Sequence, residues 1–577
     1  MMKDMKRYIV ILLLAALAFP ACNDMLELRD NGTTDMGNVF ADRNQTRGYI
    51  NSCYNYVVHP QLRAGSFTDD AQDAQAITAG TKYDYWYNQS LDASNFGAYN
   101  YDGDPWAHYY QGIRKCNVFL DNIGDATARI SDIERTGWAA QAKVLRALYY
   151  MQLVKRYGGV PLFINDLGTA HDYSTDSRAS AIEVIRQILK DCDEAIAVPD
   201  SEEFSYVYGN GQYGMMTKAV AQYIRAEAAM YAISPLLGDG TFDQQEALSI
   251  AADALQKLLS NDYSLWRTSS ENYSAYALYF LTNPNDLRSA DKETIYGGSQ
   301  VAVWTSCGVP IIAGTSTAGS CPSQELVDAY EMANGQPAIT GYSDANHLQP
   351  IINAASGYNE NAPYVGRDPR FYDTIFYNLS KRGSAYINTY VGGTSGISST
   401  NIRYTCTGYY MRKYASDASN RNSNQDGFIR FMRLTDVYLN FAEVAYQVAG
   451  PYQTVSGVNM SAADALNAIR ERAGMPNLPT GLTASQFETR YRNERRVELA
   501  LEQDRFFSLR RWKALSNARV VTGMRITQNG TNYTYQRFAF DARQTAEDKY
   551  NLYPINTGEL NKITKLTGNN WQNPGWE

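Results

Sequence analysis

Glu494 and Glu498 lie four residues apart in the segment YRNERRVELALEQDRFFSLRRW, residues 491–512, among Arg495, Arg496, Arg505, Arg510, Arg511, Glu502 and Asp504. Two carboxylates at this spacing are the raw material of general acid–base chemistry. The guanidinium groups decide against that use. A carboxylate ringed by positive charge is held ionised and has no proton to give. The segment therefore reads as a structural lattice of ion pairs, which is worth most where it is covered. At about 100° per residue, Phe487, Tyr491, Glu494, Glu498, Leu501 and Arg505 fall on one face of a helix. Ser485 with Glu488 three residues on is expected to open that helix with a capping box.

Other chemistry-bearing patterns are weaker. Gly209, Gly211 and Gly214 satisfy GxGxxG after FSYVY, but the following helix leads through Ser234-Pro235-Leu236-Leu237-Gly238 into another helix. The second parallel strand of a dinucleotide-binding unit is missing, so the glycines read as a lead into a helix. Histidine occurs only at 59, 108, 171 and 347, without HExxH spacing, which leaves no material for a histidine metal site or a catalytic triad. Asn100, Asp102, Gly103 and Asp104 resemble the start of a calcium loop that lacks its closing glutamate, and read as a polar turn. No metal and no cofactor is expected. A glycosidase pair is not singled out by spacing among the many acids.

Beyond Cys22, six cysteines stand at 53, 116, 192, 307, 321 and 406, with no CxxC pair. Cys307 and Cys321 bracket SCGVPIIAGTSTAGSC, where a disulfide would contribute about 3 kcal/mol. Free buried thiols are the favoured reading.

The elements that must position these residues are mainly helical. Helices are expected over 44–56, 106–123, 131–157, 181–197, 216–232, 244–259, 434–449 and 462–472. In the 131–157 helix, Trp138, Ala142, Leu145 and Tyr149 form one apolar face, and Val144, Leu148 and Met151 another, as in a helix packed between neighbours. The pattern resembles helix-turn-helix repeats without a strict period. Residues 260–430 are rich in Gly, Ser, Asn and Tyr, with strand-like ETIYGG and QVAVW, and read as an irregular subdomain. The stretch SFTDDAQDAQAITAGTKYDYWYNQSLDASNFGAYNYDGDPW reads as a polar loop crowded with rings, which polar loops seldom carry without burying or using them.

The chain has 577 residues and a net charge of -8, which argues against nucleic acid as the main partner. At the N-terminus, Lys3, Lys6 and Arg7 precede an apolar run over 9–19, then Ala21 and Cys22. This resembles a bacterial lipoprotein signal: residues 1–21 would be removed and Cys22 lipidated.

Laid side by side, CNDMLEL, AKVLRALYYMQLVKRYGGVPL, TKAVAQYIRAEAAMYA, PSQELVDAYEMANG, GRDPRFYDTIFY, YYMRKY, RLTDVYLNFAEVAYQVAG, NERRVELALEQDRFFSLRRW, LYPINTGEL and QNPGW resemble the SusD/RagB family, the surface glycan-binding lipoproteins of Bacteroidetes. The resemblance covers nearly the whole length. It implies a mainly α fold, a TPR-like scaffold carrying an irregular, loop-rich ligand-binding subdomain, with a helical region over 22–300 and a second region over 301–577. It implies an oligosaccharide or polysaccharide ligand, an outer-membrane lipid anchor and a SusC-like TonB-dependent transporter as partner, and implies no enzymatic activity. Peptide import, as in RagB-type members, is the alternative, and a surface glycoside hydrolase a further one. The family's site lies on variable loops, so its residues are chosen by chemistry: flat rings pack on the C–H faces of a pyranose while amides bond its hydroxyls. TKYDYWYNQ offers Tyr83, Tyr85, Trp86, Tyr87 and Asn88; Trp304, with Tyr273 and Tyr276, forms a second expected patch.

Overall fold

The structure, a computed structural model, describes residues 36–207, 214–284, 291–308, 310, 317–418 and 426–577. The N-terminal signal and Cys22 lie outside the described residues, as do Gly209 and Gly211.

The chain is mainly α. Its principal helices are α1 (Arg43–Cys53), α2 (Lys82–Asn88), α3 (Trp106–Ile123), α4 (Asp132–Tyr157), α5 (Ala181–Ile196) and α6 (Lys218–Ala232). They continue with α7 (Gln244–Ser260), α8 (Leu434–Val448), α9 (Ala462–Arg472), α10 (Ala484–Glu498), α11 (Asp504–Arg511) and α12 (Thr557–Thr567). From α3 to α9 each helix packs on the next, and α8 also packs on α6 and α10. The central member is α4. Ser131 and Glu134 open it with a reciprocal capping box, and Gly158, at φ +71°, ends it. Both of its apolar faces are buried, as the sequence requires of a helix with neighbours on two sides. Gly112 of α3 marks the crossing with α4: a Cβ there would stand 2.8 Å from the Tyr149 ring, so only glycine allows this approach.

The large core unites α1 to α7 with α8 to α11, although these groups are separated by almost two hundred residues of other structure, and it therefore spans both halves of the chain. A second core, around Phe371, Ile375, Tyr409 and Met524, underlies the loop-rich part. The strands described there are short and pair only two by two; the longest pairing is the hairpin Thr522–Asn529 with Asn532–Ala539. Of the two strand expectations, ETIYGG holds, within the strand Thr294–Gln300 paired to Phe428–Arg433. QVAVW does not: Val303–Ser306 is a single helical turn that buries Val303 and Trp304.

The 491–512 segment is not one helix. Thr483 and Gln486, not Ser485 and Glu488, form the capping box that opens α10. The helix ends at Glu498, the chain turns through Leu501 and Gln503, both left-handed at φ +63° and +74°, and α11 begins at Asp504. A left-handed non-glycine residue costs about 1–2 kcal/mol. The turn is offset by what it places: Glu502 reaches Arg433 and Lys413, and Phe506 enters an aromatic cluster. Arg505 accordingly leaves the Glu494–Glu498 face and pairs with Asp69. Among the described residues no helix is long and apolar enough to cross a membrane.

Candidate functional site

The carboxylate pair resolves first. Glu498 is fully buried and bonded by Arg433 at 2.9 Å, Arg370 at 3.0 Å and Arg472. Glu494 takes Arg370 at 2.6 Å and Arg470 at 2.7 Å. Glu293, Glu331, Glu502 and Asp368 continue the lattice around the same arginines. Burial by itself would raise both carboxyls, but the surrounding guanidinium groups outweigh it and hold Glu494 and Glu498 below the usual range. The one lysine in the lattice, Lys413, is pushed down to about 8 by burial, with Glu502 opposing. Glu494 and Glu498 are thus committed to the arginines and hold no proton to transfer at neutral pH.

The aromatic stretch is helical rather than a loop. The side chain of Thr81 accepts from the backbone of Asp84 and starts α2. Tyr83, Trp86 and Tyr87 then sit at i, i+3 and i+4 and point inward together. Trp86, 2% exposed, packs on Phe67 at 5.2 Å, Phe96 at 6.0 Å, Tyr550 at 6.2 Å and Phe506 of α11 at 6.3 Å. The Tyr87 hydroxyl donates to the Ser66 carbonyl at 2.6 Å, and Tyr83 lies beneath Arg63. Rings whose faces are covered on both sides have none for a sugar, so these three are corrected from stacking platforms to core.

The second patch divides similarly. Tyr276 is buried, donating to the Glu498 carbonyl at 2.7 Å and accepting from Lys413 at 2.8 Å, which makes it part of the ion lattice. Trp304 is buried on its helical turn. Tyr273 stays half-exposed, with its hydroxyl accepting from the Asp417 amide at 3.1 Å.

Two of the expected residues remain on the outside of α2. Asn88 is exposed, and its amide nitrogen donates to Asp84 at 2.8 Å. Tyr85 is half-exposed and stacks on Tyr99, with ring centroids 4.0 Å apart and planes 3° from parallel. Sequence reasoning missed Tyr99. It is fourteen residues from Tyr85, and the turn that brings it back is pinned by Asp92, whose carboxylate takes the amides of Ser94 and Asn95 at 2.8 and 3.0 Å. The paired rings and Asn88 thus share the outer side of α2 and the turn beside it.

The remaining candidates are structural. Asp102 binds Arg156 and the Tyr553 hydroxyl, each at 2.7 Å, and Asp104 accepts from the Tyr157 hydroxyl at 3.1 Å, so both carboxylates already have partners. Among the described residues no group of His, Cys, Asp and Glu has the arrangement of a metal site. Cys307 and Cys321 are free and buried. Gly214 precedes α6, and among the described residues that helix leads into another helix, α7.

Residues 289–576 match the model of the SusD family, and residues 34–212 match a model described as starch-binding associating with outer membrane. A SusD-like protein of Formosa agariphila is 23% identical over 419 residues, covering 71% of this chain and 70% of that protein. A SusD-like protein from Bacteroides fragilis shares the fold at a TM-score of 0.73 and 25% identity, over 94% of this chain and 98% of that one. The surface glycan-binding protein A from Bacteroides fluxus superposes at a TM-score of 0.57 and 19% identity, over 93% of this chain and 100% of that one.

Proposed function

We propose that this chain, which belongs to the SusD/RagB family, captures a glycan at the outer surface of the outer membrane and passes it to a SusC-like TonB-dependent transporter. The observation that carries the reading is the pair of family matches, which together take in the aromatic helix α2 and the scaffold that supports it. One of the matched models is described as starch-binding, and a chain with the same fold is named a surface glycan-binding protein. The protein acts as a binder and not as a hydrolase, since the most conspicuous carboxylate pair is locked in arginine contacts. The ligand meets the Tyr85–Tyr99 stack with Asn88 beside it; Tyr273 is the remaining half-exposed ring of the second patch.

The reading is tested by calorimetry against a panel of defined oligosaccharides, with reducing ends assayed in the same mixtures. Binding without new reducing ends is expected. Replacing Tyr85 and Tyr99 together by alanine should weaken the best ligand about tenfold, the loss of ~1.4 kcal/mol that a ring stack of this kind supplies. The melting temperature should hardly change, because both rings are partly exposed. Binding of oligopeptides in place of every glycan, or release of sugar, would reverse the assignment. Anchoring through acyl chains on Cys22 is part of the same proposal: Cys22→Ser should move the protein from the membrane fraction to the soluble fraction, and retention in the membrane would remove the anchor.

A further inference from the structure

A groove of about 410 Å³ opens beside α3 and α12. Its walls are α3, the extended segment 161–168, the turn Tyr173–Thr175 and α12. Its volume lies within the ~300–1,000 Å³ typical of small-molecule sites. Tyr110, Phe163, Tyr173 and Trp571 line it, together with Leu566. Tyr173 is 43% exposed and Leu566 51%, an unusual exposure for large apolar side chains that share one concavity.

The walls are built to hold shape. The Tyr110 hydroxyl donates to the Pro161 carbonyl at 2.8 Å, and the Asn117 amide donates to the carbonyls of Phe163 and Asn165, each at 3.0 Å. Phe163 also exchanges two 2.7 Å hydrogen bonds with the Tyr150 hydroxyl. These bonds fix the extended segment against α3 and α4, so Tyr110 and Phe163 are positioned before any ligand arrives.

The rim settles the chemical class. Among its charges, Arg114 lies 3.7 Å from Asp166 and Lys562 3.2 Å from Glu559, and Asp176 meets the His171 ring at 2.8 Å, so the bases do not outnumber the acids. A rim with no excess of positive charge offers no net attraction to a phosphate or a polyanion. The side-chain amides of Gln111 and Asn165 and the indole N–H of Trp571, in contrast, make no hydrogen bond to another described residue. An acyl chain in the groove would cover these groups without satisfying them, which is costly. A ligand with flat C–H faces and a fringe of hydroxyls satisfies both the rings and the amides, since each amide offers donor and acceptor together.

We infer that the groove between α3, residues 161–173 and α12 is a second carbohydrate-binding site, taking a neutral oligosaccharide segment stacked on the exposed ring of Tyr173. The inference rests on the glycan reading given above for the chain as a whole. Two sites on one scaffold would let a single long chain be gripped twice, raising avidity beyond either site alone.

The test starts from the full-length protein on an array of neutral and acidic oligosaccharides, followed by calorimetry with the best array ligand. Two variants are compared with the parent: Tyr173→Ala/Leu566→Ala in the groove, whose side chains are exposed and leave the core intact, and Tyr85→Ala/Tyr99→Ala on α2. Two sites per protein are expected, one lost or weakened at least tenfold in each double variant. Ligand-dependent slowing of amide hydrogen exchange should appear over residues 161–173 and 557–571 in the parent and vanish there in the groove variant. A silent array overturns the glycan reading and the groove assignment with it. A parent that binds glycan, with the groove variant unchanged in stoichiometry, affinity and exchange, overturns the groove assignment alone. A change of oligomeric state in the groove variant, measured by light scattering, would give the groove to a second copy of the chain instead.

Discussion

Glu498→Ala is expected to cost about 3–5 kcal/mol of folding stability, the range for breaking a buried ion pair from one side. The carboxylate is fully buried against Arg370, Arg433 and Arg472, and removing it leaves three guanidinium groups short of one negative charge in a region water does not reach. Glu498→Gln keeps the volume and should lose nearly as much, which separates charge from packing. Both variants are read by denaturant or thermal unfolding. Affinity of the folded variants for glycan should match the parent, because the lattice lies beneath the scaffold and not on the Tyr85–Tyr99 surface. Unchanged stability with lost binding would move this segment into the ligand site.

The same group sets a pH dependence of known sign. The arginines hold the folded-state pKa of Glu498, and of Glu494, below the unfolded value of about 4.3. The stability these carboxylates contribute is complete above that unfolded value and is lost as the pH falls below it toward their folded pKa. The parent should therefore lose stability steeply on acidification below about pH 4, and Glu498→Gln should show a shallower slope in that range.

Trp86→Ala should also be severe, at about 3–5 kcal/mol, the cost of emptying a buried aromatic site. The indole holds together residues far apart in the chain: Phe67, Phe96, Phe506 and Tyr550. Its removal should loosen the attachment of α11 as well as that of α2, visible as faster hydrogen exchange over both 82–88 and 504–511. Trp86→Phe should recover part of the loss. If Trp86→Ala instead melted like the parent and only weakened glycan binding, the ring would be a binding platform after all.

Several features were legible because they are local. The long helices follow from apolar periodicity, and α4 announces its burial on two sides through two apolar faces and its start through Ser131 and Glu134. The lattice around Glu494 and Glu498 follows from charge density, since so many ionised groups on one short segment must pair if they are covered. The direction of α2 was also present in the chain: Tyr83, Trp86 and Tyr87 have helical spacing, and Thr81 stands before them as a cap. Reading that stretch as a loop hid which rings turn inward. Composition suggested aromatics in use, but periodicity was the better guide to burial.

The sequence by itself determined the helical class, the family resemblance and the ionised state of the carboxylate pair, because each depends on residue types and spacings within the chain's local segments. Only the tertiary structure decided which arginines meet which acids, since Arg370, Arg433 and Arg472 come from three distant segments. It alone broke the 491–512 helix at Leu501 and Gln503, where long-range contacts of Glu502 and Phe506 outweigh the local cost of left-handed backbone. It alone set Tyr99 on Tyr85 and gathered Tyr110, Phe163, Tyr173 and Trp571 around one groove. Surfaces of this kind are assembled from segments with no local signal for one another, because side chains far apart in sequence meet only after the backbone has folded.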